Sequence, residues 1–116
     1  MSLINLQYRM RFVNRYIISI MGDWTFITTH GLVLIYISTN PQNTTREIAA
    51  VVNITERSVH RVINDLESEG YLTRSRKGRK NVYEINPDLK LRHDITRDTA
   101  VGALIEVLQP IDKEIV

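Results

Sequence analysis

A mainly helical α+β fold is what these 116 residues predict, and three observations carry that reading. Apolar residues recur at helical spacing in several separate stretches. Two short β-prone runs flank a glycine-bearing turn. That hairpin directly follows two short helices joined at a tight corner, within residues 44–86.

The elements follow in chain order. Leu6, Met10, Val13, Ile17 and Ile20 give a helical stripe over residues 3–21, widened by Tyr8, Phe12 and Tyr16. So broad an apolar face needs a cover, and packing or dimerisation is favoured over lying on a membrane surface or along DNA. Gly22-Asp23 breaks the pattern. Residues 24–38 then read as a largely buried helix through Leu32, Val33, Ile35, Tyr36 and Ile37, ended by Asn40-Pro41. Thr44 with Glu47 forms a capping box for the next helix, whose expected buried stripe is Ile48, Val51 and Val52. Asn53 follows, a residue that tolerates the left-handed geometry of a tight turn.

Thr55 is a good N-cap for a second helix, and Ile54 and Val59 are spaced as a hydrophobic staple across its start. Val59, Val62, Ile63 and Leu66 make the core stripe, and Gly70 ends the helix. Residues 71–76 and 81–86 read as strands around the turn at 77–80. A polar stretch over 87–98 returns across the domain. A last helix over 99–108 carries Val101, Leu104, Ile105 and Leu108, and Pro110 closes it.

The chemistry is concentrated on the second helix and the hairpin. At 100° per residue, Arg57, Arg61 and Asn64 fall opposite the Val59–Ile63–Leu66 stripe, with His60 on one flank and Ser58 on the other. Arginine can bond guanine bidentately, asparagine can do so with adenine, and serine adapts to either. Glu56 suits the positive end of the helix dipole and can accept from a cytosine amine. Basic side chains occupy the first half of this helix, while Asp65, Glu67 and Glu69 fill the second. That division suits a helix entering the major groove by its N-terminal end. Within residues 74–80 the hairpin gathers Arg74, Arg76, Lys77, Arg79 and Lys80 without an acid, placed for phosphates, with Arg79 able to reach a minor groove. Alone, a basic hairpin or an arginine-bearing helix face is as often plain solvated surface. In this order and at this separation they point to DNA.

With those residues in view, the sequence resembles the winged helix-turn-helix transcriptional regulators of bacteria and archaea, of the MarR/ArsR-like kind. The matching phrases are HGLVLIYIS at 30–38, REIAAVVNITERSVHRVINDLESEGYLTRSRKGRKNVYEIN at 46–86, and LRH with VGALIEVL within 91–108. The resemblance implies a winged helix-turn-helix with flanking N- and C-terminal helices. The recognition helix would present Thr55, Glu56, Arg57, Ser58, His60, Arg61 and Asn64 to DNA. The wing would add Arg74, Arg76, Lys77, Arg79 and Lys80, and the preceding helix Thr44, Thr45 and Arg46. It implies a homodimer on a two-fold site. Asn53 departs from the glycine such proteins often place at the turn, the N-terminal helix has no matched counterpart, and no effector signature appears, so the effector stays unknown. The organisation expected is an amphipathic helix in 1–22, a winged helix-turn-helix over 23–87, and a loop with a C-terminal helix over 88–116, the terminal parts serving packing or dimerisation.

Composition narrows the alternatives. The chain supports one modest core, and 43% hydrophobic with 24% charged residues is ordinary for a globular domain. Net charge is only +2 with a pI near 9.1, so the distribution of charge carries the electrostatic argument. Cysteine is absent, which removes disulfides and thiolate sites. No apolar run reaches the roughly 18–20 residues that span a bilayer, and the basic N-terminus lacks the pattern of a signal peptide, so a cytoplasmic protein with no membrane partner is expected. The three histidines, His30, His60 and His93, fall on different elements, so no metal or other cofactor is expected; His60 could add a DNA contact that strengthens at lower pH. Trp24, Phe26, Tyr36 and Tyr83 read as core or subunit contacts rather than a base-stacking platform. No catalytic set is present. The functional expectation is a double-stranded DNA-binding transcriptional repressor acting as a homodimer. The alternative is a winged-helix protein-docking module, with a membrane-associated regulator behind it.

Overall fold

The computed structural model describes residues 24–109. The stripe expected at 3–21 and the residues beyond Gln109 lie outside the described residues. Helix α1 spans Thr29–Thr39, α2 Thr45–Val52, α3 Glu56–Ser68, β1 Leu72–Lys77, β2 Lys80–Ile85 and α4 Val101–Val107. Helices α1, α2 and α3 pack on one another, β1 packs on α3 and β2 on α1. Among the described residues, four helices and one antiparallel hairpin give the mainly helical α+β class expected.

Helix α1 begins five residues later than its apolar pattern suggested. Thr28 is extended, at φ −67° and ψ 166°, and its hydroxyl accepts from the Gly31 N–H at 3.2 Å, so it caps the helix. Trp24 and Phe26 therefore lie ahead of the helix and are 72% and 91% exposed, which excludes the core role and leaves the subunit-contact role as the alternative expected for them. Their rings meet edge to face with centroids 5.1 Å apart. Tyr83 is buried as expected, and Tyr36 is half-buried with its hydroxyl accepting from Asn43 Nδ2 at 2.6 Å.

Both sides of the capping box on α2 are present: Glu47 N–H donates to Thr44 Oγ1 at 3.1 Å, and Thr44 N–H donates to Glu47 Oε1 at 2.7 Å. Its buried face is Ile48 and Ala49 with Val52 partly covered, whereas Val51 is 39% exposed. The expected stripe fails at Val51 for a rotational reason. Ile48, Val52 and Ala49 occupy one arc of the helix, and Val51 falls roughly 110° from its centre. Asn53 takes the left-handed conformation at φ 68° and ψ 48°. Its N–H and that of Ile54 both donate to the Ala49 carbonyl, at 2.8 and 3.1 Å, which closes the corner. Thr55 then caps α3 by accepting from the Ser58 N–H at 3.0 Å.

Val59, Val62, Ile63 and Leu66 are all buried, as their spacing predicts. At the other end Gly70, at φ 88°, lets its N–H reach the Glu67 carbonyl while the Tyr71 N–H reaches the Leu66 carbonyl. This paired closure is a Schellman motif, and it directs Tyr71 into the core just before β1 starts. The strands pair from Leu72 with Ile85 to Lys77 with Lys80. They are shifted by one residue from the ranges expected, because a two-residue turn at Gly78-Arg79 keeps both lysines in the ladder. Gly78 supplies the positive φ, 67°, that such a turn requires at its first position. The Tyr83 N–H also donates to the Pro41 carbonyl at 3.0 Å, which ties the hairpin to the loop between α1 and α2.

The expected return across the domain runs from Asn86 to Ala100, stitched by the Lys90–Ala100 bridge and by Tyr71 Oη donating to the Lys90 carbonyl. It delivers α4, shorter than the 99–108 expected, because Ala100 is extended and offers no side-chain cap. Val101 and Ile105 reach the core; Leu104 and Leu108 are only partly covered, and Val107 is 80% exposed.

Candidate nucleic-acid interface

On α3 the sequence expectation and the surface agree. Arg57, His60, Arg61 and Asn64 are exposed, and Ser58 is half-buried, its hydroxyl accepting from Thr55 Oγ1 at 3.0 Å. Arg57, Arg61 and Asn64 form one row at helical spacing, leading from the capped end toward the hairpin. The row meets the hairpin at Asn64, whose Oδ1 accepts from Arg74 Nη2 at 3.4 Å. At the opposite end, Thr45 Oγ1 on α2 donates to Glu56 Oε2 at 3.3 Å. This bond joins the starts of the two helices and occupies one oxygen of the carboxylate considered for a cytosine contact. Thr44 is spent on the capping box, while Arg46 stands exposed beside it.

The hairpin's basic cluster is divided by the pleat, since directly paired residues share a face and successive residues alternate. Leu72, Arg74 and Arg76 lie on one face with Asn81, Tyr83 and Ile85; Lys77 and Lys80 lie on the other. Leu72 and Tyr83 are buried, so the first face is the one turned inward. Lys77 and Lys80 stand directly opposite each other, an unfavourable like-charge pair that an anion between them would relieve.

The charges sort into paired and unpaired sets. Each acid in the second half of α3 is met by a basic side chain from another element: Asp65 by His30 at 2.9 Å, Glu67 by Arg74 at 2.8 Å, and Glu69 by Arg92 at 3.9 Å. Sequence reading missed these pairings, because the partners are distant in the chain and only the packing of α1, β1 and the return loop on α3 brings them in. Arg97 pairs with Asp94, and Lys90 donates to the Asp98 carbonyl. Among the described residues, Arg46, Arg57, Arg61, Arg76, Lys77, Arg79 and Lys80 carry no ion pair and are exposed. Glu47 also feels the wing, through Lys80. Its carboxyl is held below the ordinary value of 4.5, chiefly by the Thr44 backbone N–H, then by the Thr44 side chain, with Lys80 adding to the effect.

Among the described residues no group of histidines and acids is arranged to hold a metal ion, and no helix is long and apolar enough to cross a membrane. His30 and His93, expected on unrelated elements, do line one hollow of about 450 Å3, which is otherwise walled mainly by Ile27, Leu34, Leu66 and Leu104.

With this geometry in place, comparison with known proteins supports the fold. A model described as winged helix-turn-helix DNA-binding matches residues 28–73, from the cap of α1 into β1. These residues carry the winged helix-turn-helix fold. No curated protein matches the sequence. Among solved structures, one described as a "predicted DNA-binding transcriptional regulator from E. coli" is 17% identical, with 92% of this chain and 96% of that one covered at a TM-score of 0.52. A Mycobacterium tuberculosis MarR family protein solved with salicylic acid is 22% identical, with 92% and 78% covered at 0.48. At such identities the likeness is one of fold. In winged-helix terms α3 is the recognition helix and β1–β2 the wing.

Proposed function

We propose that the chain is a sequence-specific, double-stranded DNA-binding transcriptional regulator acting in the cytoplasm as a homodimeric repressor. The recognition helix enters the major groove, and the wing lies on the phosphate backbone or in the minor groove. One observation carries the reading: the exposed start of α3 and the wing hold unpaired cations, while each acid at the far end of α3 is met by a side chain from another element. Such a surface attracts a polyanion where the reading side chains stand and does not repel it one turn further on. Arg57, Arg61, Asn64 and Ser58 supply base contacts, with Thr55, Glu56 and His60 at their margins. Arg76, Lys77, Arg79 and Lys80, with Arg46 and the hydroxyls of Thr44 and Thr45, position the duplex. The description of the E. coli protein that shares the fold agrees with this assignment.

Two copies would be joined through the terminal segments, 1–22 and 88–116. Val107 and the partly covered Leu104 and Leu108 leave apolar surface on α4 that a second copy would bury. Repression would follow from occupancy of a promoter.

Fluorescence anisotropy with a labelled random-sequence duplex at low salt tests the reading. Binding at roughly 10⁻⁴–10⁻⁶ M is expected. Absence of binding in that range would leave the domain a protein-docking module.

A further inference from the structure

Arg74 was grouped with the other wing cations by sequence, yet its surroundings differ from theirs. It projects from the face of the hairpin that carries buried Leu72 and Tyr83, and its guanidinium is engaged. Nη2 donates to Glu67 Oε1 at 2.8 Å and to Asn64 Oδ1 at 3.4 Å, bridging two residues one turn apart on α3. The ion pair is partly sheltered, with side-chain exposures of 29% and 37%.

To touch a phosphate, Arg74 would have to leave a charge-assisted bond and turn the Glu67 carboxylate, uncompensated, toward a polyanion. Meanwhile the wing needs a brace. A two-stranded ribbon is marginally stable by itself in water. Its base is anchored by Leu72, Tyr83 and the Tyr83–Pro41 bond, but beyond the Arg74–Tyr83 rung the ladder carries only polar or half-exposed side chains.

We infer that Arg74 is a positioning residue, a strut from β1 to Glu67 and Asn64 that fixes the angle of the wing against the recognition helix. Phosphate contact is left to Arg76, Lys77, Arg79 and Lys80. The same bond holds the Asn64 amide at the end of the base-reading row, so wing angle and base reading are set by one guanidinium. This inference rests on the DNA reading above for its consequence, but not for its geometry.

The test uses the full chain and a random-sequence duplex, titrated by anisotropy across a range of salt, with Arg74→Ala, Glu67→Ala and Lys77→Ala compared. Arg74→Ala and Glu67→Ala should each weaken binding about three- to fivefold, the scale of a partly exposed ion pair. Their salt slopes should match the wild type, whereas Lys77→Ala should lose about 0.9 from its slope. Hydrogen exchange of the hairpin amides over residues 75–82 should quicken in both strut variants and stay unchanged in Lys77→Ala.

Glu67→Ala separates the explanations by sign. Removing a negative charge strengthens DNA binding if only charge matters, and weakens it if the strut matters. Tighter binding by Glu67→Ala, or a slope lowered by about 0.9 in Arg74→Ala, would overturn the inference. A wild-type protein that retains no duplex would instead overturn the DNA reading, and hydrogen exchange would still decide the strut.

Discussion

Replacing both Lys77 and Lys80 by alanine is the most direct probe of the wing. The two lysines face each other across the last rung of the ladder, on the side away from the buried face. Because directly opposed like charges destabilise a strand pair, their removal should leave the fold as stable as before, or up to about 1 kcal/mol more stable. Any loss of DNA affinity then belongs to the interface. If each of the five unpaired cations placed on the backbone, Arg46, Arg76, Lys77, Arg79 and Lys80, meets one phosphate, the wild-type slope of log K against log salt is about −4.5 per protomer, and the double variant's about −2.7. Over a fourfold rise in salt, from about 50 to 200 mM, the wild type would lose nearly three decades of affinity and the variant roughly one and a half. The gap between the two proteins should therefore close about tenfold across that range. Anisotropy titrations on one duplex at four salt concentrations measure it, with thermal melts confirming the fold. Parallel slopes for the two proteins would refute the placement of the wing on phosphate.

Other substitutions probe the remaining links. Arg57→Ala or Arg61→Ala should cost about 1–3 kcal/mol on a preferred site and little on random duplex, which competition titrations separate. Thr55→Ala removes the oxygen that accepts from the Ser58 N–H and should cost about 1 kcal/mol in denaturant unfolding, loosening the start of the recognition helix. The Glu47 carboxyl is lowered in the folded state, so the stability it adds is complete above its unfolded value near 4.5 and fades as pH falls through the lower folded value; Glu47→Gln should abolish that acid limb in melts recorded down to low pH. At Gly102 an added Cβ would lie 2.7 Å from Pro87 Cβ and 2.9 Å from its carbonyl oxygen. Gly102→Ala should therefore destabilise by about 1–3 kcal/mol as α4 is pushed off the hairpin exit, read as a lower melting temperature.

How far the sequence reached depended on the range of the interaction concerned. Thr44 with Glu47, Asn53, Thr55 and Gly70 each act on backbone within a few residues, so the corner between α2 and α3 and the closure of α3 were legible from local chemistry. The core stripe of α3 was equally legible, because a long helix against one core repeats its pattern. Shorter or less periodic elements were read less well. Val51 looked buried because an eight-residue helix offers too few turns to place its arc, and Trp24 and Phe26 looked like core because apolar character does not tell a helix from the segment before its cap.

By itself, then, the chain determined the helix-turn-helix corner, the hairpin, and the row Arg57, Arg61, Asn64 turned away from the core, all through contacts spanning less than about two helical turns. Packing alone decided which charges stay unpaired. His30, Arg74 and Arg92 reach Asp65, Glu67 and Glu69 only because α1, β1 and the return loop close on α3. A guanidinium's partner depends on where separate elements meet in space, and no spacing along the chain specifies that meeting.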